Sequence, residues 1–398
     1  MARPVREIVL GSSGHQGVHA RVSRGHPWVW RSSIDRGLEG ATPGEYVQVL
    51  TGNGEAIGCG VADPMSQIAV RLWTRGCTPM GSELLDERVG RAIALRAALS
   101  GSNTTAYRLV HGEGDRMPGL VVDRYDSVAV MRTDGEAAAA HAEDFAQALW
   151  PRVSRDGVST LVHRIGTKGQ EPRLEVLRGD PPPCSIHVRE YGVPFVVDLA
   201  QGQKTGAFLD QRDNRRRVGE LARGRRVLNL FSYAGGFSLR AAIGGASHVT
   251  SVDIAARAHA TAQASFRLAG VDPATVHASF VTAEVHAFLD AARARRDLWD
   301  LIVSDPPSFA PSEKALPRAL AAYRALHRAC VEVLAPGGIL CAASCSSHVD
   351  ASTFMQTLDD AALCGRELTV VELHGAGSDH PCVPAFPEGR YLKFAILQ

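Results

Sequence analysis

Along residues 1–76 apolar and polar positions alternate in short bursts broken by turn residues. Glu45–Leu50 and Glu55–Val61 flank Thr51-Gly52-Asn53-Gly54, which predicts an antiparallel hairpin turned at Asn53-Gly54. A further strand is expected over Gln67–Trp73, after Asp63-Pro64. Short strands at this spacing imply a small β-barrel.

The period changes near Ser82. Leu85, Val89, Ala92 and Ile93 share one face of a helix expected over residues 82–99, with Ser82 as its N-cap. Strands are predicted at Tyr107–His111, Gly119–Asp123, Val128–Arg132 and Thr160–Ile165, and a helix around Ala137–Leu149. Residues 77–185 therefore read as a small α+β domain, and the prolines of Gly179–Cys184 mark its exit. From residue 186 to 398 the apolar runs Val227–Phe231, His248–Val252, Leu301–Ser304 and Gly338–Ala343 alternate with helix-length segments. That rhythm implies an α/β domain, Rossmann-like, with a mostly parallel sheet covered by helices on both faces.

Composition narrows the class without naming a function. A chain of 398 residues exceeds one hydrophobic core. No apolar run approaches the ~18 residues of a membrane span, and the N-terminus lacks the apolar stretch of a signal peptide. The cysteines at 59, 77, 184, 330, 341, 345, 364 and 382 form no Cys-x-x-Cys pair, so neither a metal ribbon nor a dithiol site is expected, and a cytoplasmic location is. All except Cys345 are read as small buried hydrophobes. The net charge of +1 leaves nucleic acid open, because local patches matter more than the total.

Candidate chemistry clusters at predicted strand ends. Val227–Phe231 runs into Ser232-Tyr233-Ala234-Gly235-Gly236, where glycines at a strand-to-helix turn let a ligand approach the backbone. The next strand ends at Asp253, placed to accept hydrogen bonds from a ribose diol. No Gly-x-Gly-x-x-Gly pattern is present, and Gly202-Gln203-Lys204-Thr205 lacks the upstream glycine of a P-loop; a nucleoside site is the reading left, against a plain tight turn. Further on, Asp300–Ser304 ends in Asp305-Pro306-Pro307, whose prolines stop pairing and hold the acid at the sheet edge. Cys345 follows the strand Gly338–Ala343, on the same side.

A thiol and a carboxylate so placed suit carbon methylation of a pyrimidine. C5 of cytosine is a weak nucleophile; a thiolate added at C6, with an acid at N3, makes it enamine-like, and a base later removes the C5 proton. The sequence does not identify that base.

These motifs resemble the bacterial 23S rRNA cytosine-C5 methyltransferases that carry an N-terminal PUA domain, and the likeness covers nearly the whole chain. Gly25–Trp30 is similar to the PUA signature, and Tyr107–Asp115 with Pro118–Arg124 to the central domain. Asp379-His380-Pro381 and Pro387–Lys393 are similar to the C-terminal signature. The resemblance implies a seven-stranded sheet whose last strand is antiparallel, S-adenosylmethionine as cofactor, and Cys345 and Asp305 as catalytic residues. It further implies that Lys204, Thr205, Phe208, Gln211 and Arg212 help enclose the cofactor, with Phe231, Ser232, Tyr233, Ala234, Gly235 and Gly236, then Asp253, Ile254, Glu284 and Asp305, around it. Glu284 stands, after Ala283, where the family has an Asp pair near the adenine; Ser265 and Ala269 replace asparagines; and Ser308 replaces a lysine.

Arg215, Arg216 and the neighbouring arginines 212, 217, 223, 225 and 226 are read either as phosphate contacts or as a solvated helix face. Arg24 and His26, beside Trp28 and Trp30, suggest an RNA surface, unless the tryptophans are barrel core. Pro306, Pro307 and Phe309 would line the pocket of a cytosine flipped toward Cys345. The partner expected is ribosomal RNA, with a homodimer as a possible assembly and neither membrane nor metal. Two alternatives stay open: methylation of a purine amino group, disfavoured by Ser308 before Phe309 and by an unneeded thiol, and an RNA-binding assembly factor without turnover. A small-molecule methyltransferase would leave the N-terminal domains unexplained.

Overall fold

The computed structural model describes residues 5–11, 16–76, 78, 80–100, 103–166 and 172–398. They form two compact units. One comprises Met1–Ile186, Leu199–Ala207 and Ser378–Gly389; the other comprises His187–Asp198, Phe208–Gly377 and Arg390–Gln398.

The first unit holds two sheets. In the six-stranded sheet the order is Trp28–Trp30, Ile68–Leu72, Ala56–Ala62, Tyr46–Leu50, Arg6–Leu10, Ile34–Arg36. Only Arg6–Leu10 and Tyr46–Leu50 pair in parallel. The two edge strands are consecutive in sequence, joined by the short 3-10 turn Arg31–Ser33, so the sheet must curl until its edges nearly meet. Ile8, Leu10, Val29, Val47, Val49 and Val70 fill its interior.

A five-stranded sheet follows, in the order Arg173–Arg178, Thr160–Ile165, Val128–Thr133, Leu120–Tyr125, Ala106–His111. It packs with the helices Ser82–Leu95 and Ala142–Val153 around Leu85, Val89, Tyr107, Leu120, Phe145 and Leu149. Ser82 is the first helical residue rather than its cap: Gly81 takes that place, with no side-chain cap bond. The helix ends at Leu95, and the buried Arg96 at its C-cap is bound bidentately by Asp115 at 2.7 and 2.8 Å. The strand Arg173–Arg178 has no counterpart among the sequence expectations; its side chains are largely solvated, so no apolar alternation betrays it.

In the second unit seven strands form one sheet, ordered Ala278–Thr282, His248–Asp253, Arg226–Leu230, Trp299–Ser304, Leu334–Ser344, Lys393–Leu397, Val370–His374. The first five are parallel, and Lys393–Leu397 runs antiparallel to both of its neighbours. Period-two alternation explains the two layers. Leu228, Leu230, Ile302, Leu340 and Ala342 face one core with Leu289, Tyr323 and Leu326. Val227, Leu301, Val303, Ile339 and Ala343 face the other with Val218, Phe237, Leu239 and Phe266. Among the described residues no helix is long and apolar enough to cross a membrane, and none of their His, Cys, Asp or Glu groups could hold a metal ion.

Candidate active site

Because five strands are parallel, their carboxyl ends gather at one edge, where ligands of such sheets bind. Reading along that edge, the chain presents Asp253, the turn after Leu230, Asp305 and Cys345.

The turn carries unusual backbone. Phe231, Tyr233 and Gly235 all have positive φ, at 54°, 46° and 72°. Two of the three are not glycine, so the surroundings must hold them there. The Ser232 amide donates to the Val252 carbonyl at 3.0 Å, the Tyr233 amide to Asp253 Oδ2 at 2.7 Å, and the Gly235 amide to the Ser232 carbonyl at 2.8 Å. Asp253 Oδ1 also accepts from the Ala255 amide at 2.8 Å. Below the turn, Asn229 donates to Ser238 at 2.8 Å, and the Ser238 and Ser251 hydroxyls pair at 2.7 Å.

Gly235 caps the helix Gly236–Ile243; a Cβ there would lie 2.7 Å from that of Ala262. One on Gly236 would meet the Arg215 side chain at 2.7 Å. These glycines therefore serve close packing of the turn, as well as access to it.

The residues present fit an adenosyl cofactor. Each Asp253 oxygen has accepted one amide and keeps a lone pair for a ribose hydroxyl. Next to it Ile254 is 75% exposed, an apolar surface beside the ribose acid suited to an adenine face. Phe208 meets the Tyr233 ring edge-on at 5.3 Å.

Gln211 is buried and donates to Asp305 Oδ2 at 3.1 Å. Its own amide oxygen accepts from Asn214 at 2.6 Å, and Asn214 also donates to the Gly375 carbonyl at 3.2 Å. Asp305 is thus held by a chain of side chains from the helix Arg212–Leu221 and the turn before it.

A second network joins the proline loop to the cysteine loop. Tyr323 donates to Ser344 Oγ at 2.9 Å and shares a bond with Ser346 Oγ at 3.1 Å. Ser308 pairs with the same Ser346 hydroxyl at 3.0 Å. Burial pushes the Tyr323 phenol up. Cys345, half-buried, directs Sγ to the Pro306 carbonyl at 3.8 Å. Lys393, buried, donates from Nζ to the carbonyls of Ser346 and Tyr391, both at 2.7 Å.

Burial also separates the thiols. Cys330 and Cys341 are pushed up to about 12 by desolvation and stay protonated. Cys59 is buried as well, whereas Cys184, Cys364 and Cys382 are exposed, contrary to the expectation that all were interior; Cys77 lies outside the described residues.

The other expected site residues are mostly engaged by neighbouring groups of the protein. Arg215 is buried and clamped by Glu190 and the Phe208 carbonyl, and Arg212 is fully buried against Tyr191. Neither reaches solvent, so the basic run is no continuous phosphate surface. Arg216 is exposed, but it lies over the Tyr191 ring at 5.0 Å and pairs with Glu220; Arg217 binds Glu372. Glu284 caps the helix Val285–Arg295 through the Ala287 amide at 2.8 Å.

Pro306 is buried and Pro307 exposed, while Phe309 packs on Tyr323 with ring centres 4.8 Å apart. Lys204 and Thr205 belong to the first unit, where the buried Thr205 hydroxyl binds Asp123 and Tyr125. In that unit His26 is buried against Glu388 at 3.1 Å, which withdraws it from the expected RNA surface, and Arg24 stays exposed. Sequence reasoning missed Gln211's partner Asn214, Tyr323 and the role of Lys393 as a strut, none of which carries a local signal.

A doubly wound sheet with a reversed penultimate strand in spatial order, a glycine turn and an acid on the next strand defines the class I methyltransferase fold. Comparison with known proteins agrees. Residues 148–387 match the family model for S-adenosylmethionine-dependent methyltransferases, and residues 15–75 a PUA-like domain. Ribosomal RNA large subunit methyltransferase I of Photobacterium profundum is 37% identical over 386 residues, covering 95% of this chain and 96% of that one. The ribosomal RNA large subunit methyltransferase of Deinococcus radiodurans is 40% identical over 392 residues, covering 94% and 93%. A solved structure from Streptococcus mutans, assigned as a SAM-dependent methyltransferase, superposes with a TM-score of 0.85 at 24% identity over 99% of this chain and 100% of that one, a likeness of fold. The chain belongs to the S-adenosylmethionine-dependent methyltransferase family and carries an N-terminal PUA-like domain.

Proposed function

We propose that this methyltransferase forms 5-methylcytosine in large-subunit ribosomal RNA, 23S RNA in bacteria, with Cys345 as nucleophile and Asp305 as the acid at N3. The observation that carries the reading is the half-buried Cys345 thiol at a strand end, 3.8 Å from the Pro306 carbonyl that immediately follows Asp305. Amino-group methylation needs no thiol there. The relatives' names supply the RNA class.

S-adenosylmethionine, when bound, supplies an electrophilic methyl group; Asp253, Ile254, Phe208 and the Phe231–Gly236 turn would hold it. Cys345 Sγ adds to C6 of the target cytosine, forming a C–S bond and moving electron density to C5. Asp305, fixed by Gln211, donates a hydrogen bond or proton at N3 and so stabilises the charge that develops on the ring. After transfer, loss of the C5 proton expels the thiolate and restores the aromatic ring. The PUA-like domain, with Arg24 exposed on it, would supply backbone contacts that position RNA without reading sequence. A base must leave its stack to reach Cys345.

The test is incubation with radiolabelled S-adenosylmethionine and rRNA from a strain lacking the gene, followed by nucleoside analysis. Label in 5-methylcytidine is expected. Label on a purine amino group would overturn the reading and reduce Cys345 to a structural thiol.

A further inference from the structure

The chain uses arginine almost everywhere for positive charge: only Lys168, Lys204, Lys314 and Lys393 are lysines among its 43 basic residues. One of these four is buried beside the cysteine loop. Lys393 opens the antiparallel strand Lys393–Leu397 and pairs in register with Ser344, the residue before Cys345. Its ammonium donates to the carbonyl of Ser346, the residue after Cys345. Lys393 is therefore tied to the residue before the nucleophile by its backbone register and to the residue after it by its ammonium, and only 3% of the residue's surface meets solvent. The buried ammonium has two carbonyl partners, and the charges that can offset its own are those of Asp350 and of a Cys345 thiolate.

We propose that Lys393 is a positioning residue that keeps Cys345 as the thiolate and locks the Ser344-Cys345-Ser346 turn that presents it. The inference rests on the reading of Cys345 as nucleophile. The step is simple in balance: the S–H bond breaks, the proton passes to solvent, the electron pair stays on sulfur, and no redox partner is needed. Lysine suits the position better than arginine because an ammonium concentrates its charge at a point, while a planar guanidinium would need a wider bay.

The charges that face this pair are few. Asp350, which caps the helix Ala351–Met355, also acts on the ammonium; Tyr323 bonds the turn through Ser344 and Ser346, and Asp305 precedes Pro306, whose carbonyl the thiol meets. Burial lowers Lys393 to about 8, while the charges of Cys345 and Asp350 hold it up. The influence is reciprocal: a thiolate that stabilises the ammonium is stabilised by it to the same degree.

The experiment measures iodoacetamide alkylation of Cys345 against pH in the full-length protein, read on the Cys345 peptide by mass spectrometry. The wild-type midpoint is expected below the ordinary thiol value of about 8.5. In Lys393→Met it should rise by at least one pH unit, roughly tenfold less thiolate at neutral pH. An unchanged midpoint in Lys393→Met would overturn the proposal. Should that variant fail to fold, the reciprocal measurement decides: in Cys345→Ser the NMR titration of the Lys393 Cε signal, resolvable among four lysines, should move to lower pH, and an unmoved titration would overturn it. Neither readout requires RNA or methyl transfer, so failure of this inference and failure to make 5-methylcytidine are distinguishable.

Discussion

Gln211 Nε2 donates to Asp305 Oδ2 at 3.1 Å, and through that bond a side chain outside the sheet sets the direction of the acid at its edge. Removing the acid should be far worse than removing its support. Asp305→Asn should lower kcat by about 10²-fold or more, the ordinary range of acid–base assistance. Gln211→Ala removes one bond to a charged group and should cost roughly tenfold in kcat/KM. Steady-state kinetics on rRNA checks the order; equal losses would mean that Gln211 itself meets the substrate.

Asp253 braces the turn through the Tyr233 and Ala255 amides, and in the proposed function it holds the ribose as well. Asp253→Ala should weaken S-adenosylmethionine binding by about 10- to 100-fold, from the loss of charge-assisted bonds of ~1.5–3 kcal/mol. Isothermal titration in the absence of RNA measures this. An unchanged affinity would place the ribose elsewhere.

Gly235 is the position where the turn tolerates no side chain. Its φ is 72°, and a methyl group added there would sit only 2.7 Å from that of Ala262. Gly235→Ala should therefore destabilise the fold by about 1–3 kcal/mol. Denaturant unfolding checks it, and a neutral result would show that the helix Ala256–Leu268 can shift away.

The Arg217–Glu372 pair predicts an acid sensitivity. Its hydrogen bonds from Arg217, at 2.9 and 3.0 Å through Nε, hold the Glu372 carboxyl down at about 2, below the ordinary 4.5. A folded-state value below the unfolded one gives stability that is present above about 4.5 and fades as pH falls toward about 2. The melting temperature of Arg217→Met should lie below wild type at pH 7, and the gap should narrow between about pH 4.5 and about pH 3. A gap independent of pH would assign the loss to packing of the arginine stem.

Much of the architecture was legible because local backbone demands are written in local residues. The prolines after Asp305 end their strand wherever they occur, and Gly235 must sit where φ is positive. Apolar runs separated by helix-length segments likewise announced a large, mostly parallel sheet covered on both faces. What stayed hidden depends on partners far along the chain. Arg215 and Arg216 are neighbours of identical type, yet Glu190, at the end of the strand Ser185–Glu190 with no strong apolar pattern, draws only the first inside. His26 is buried by Glu388, distant in sequence, and no spacing rule joins them. Lys393 follows the same logic: its carbonyl partners come from backbone, which any sequence could provide.

The central claim is a covalent bond between Cys345 and C6 of cytosine, and a substrate that cannot complete the reaction tests it most directly. In rRNA carrying 5-fluorocytidine, C5 holds fluorine in place of the proton, so elimination after methyl transfer is blocked and the adduct persists. Wild-type protein with S-adenosylmethionine should then yield a denaturation-resistant protein–RNA band whose attached peptide contains Cys345. Cys345→Ala, which should still fold and bind the cofactor, should yield none. A band of equal strength from Cys345→Ala, or 5-methylcytidine formation by that variant at the wild-type rate, would contradict the account.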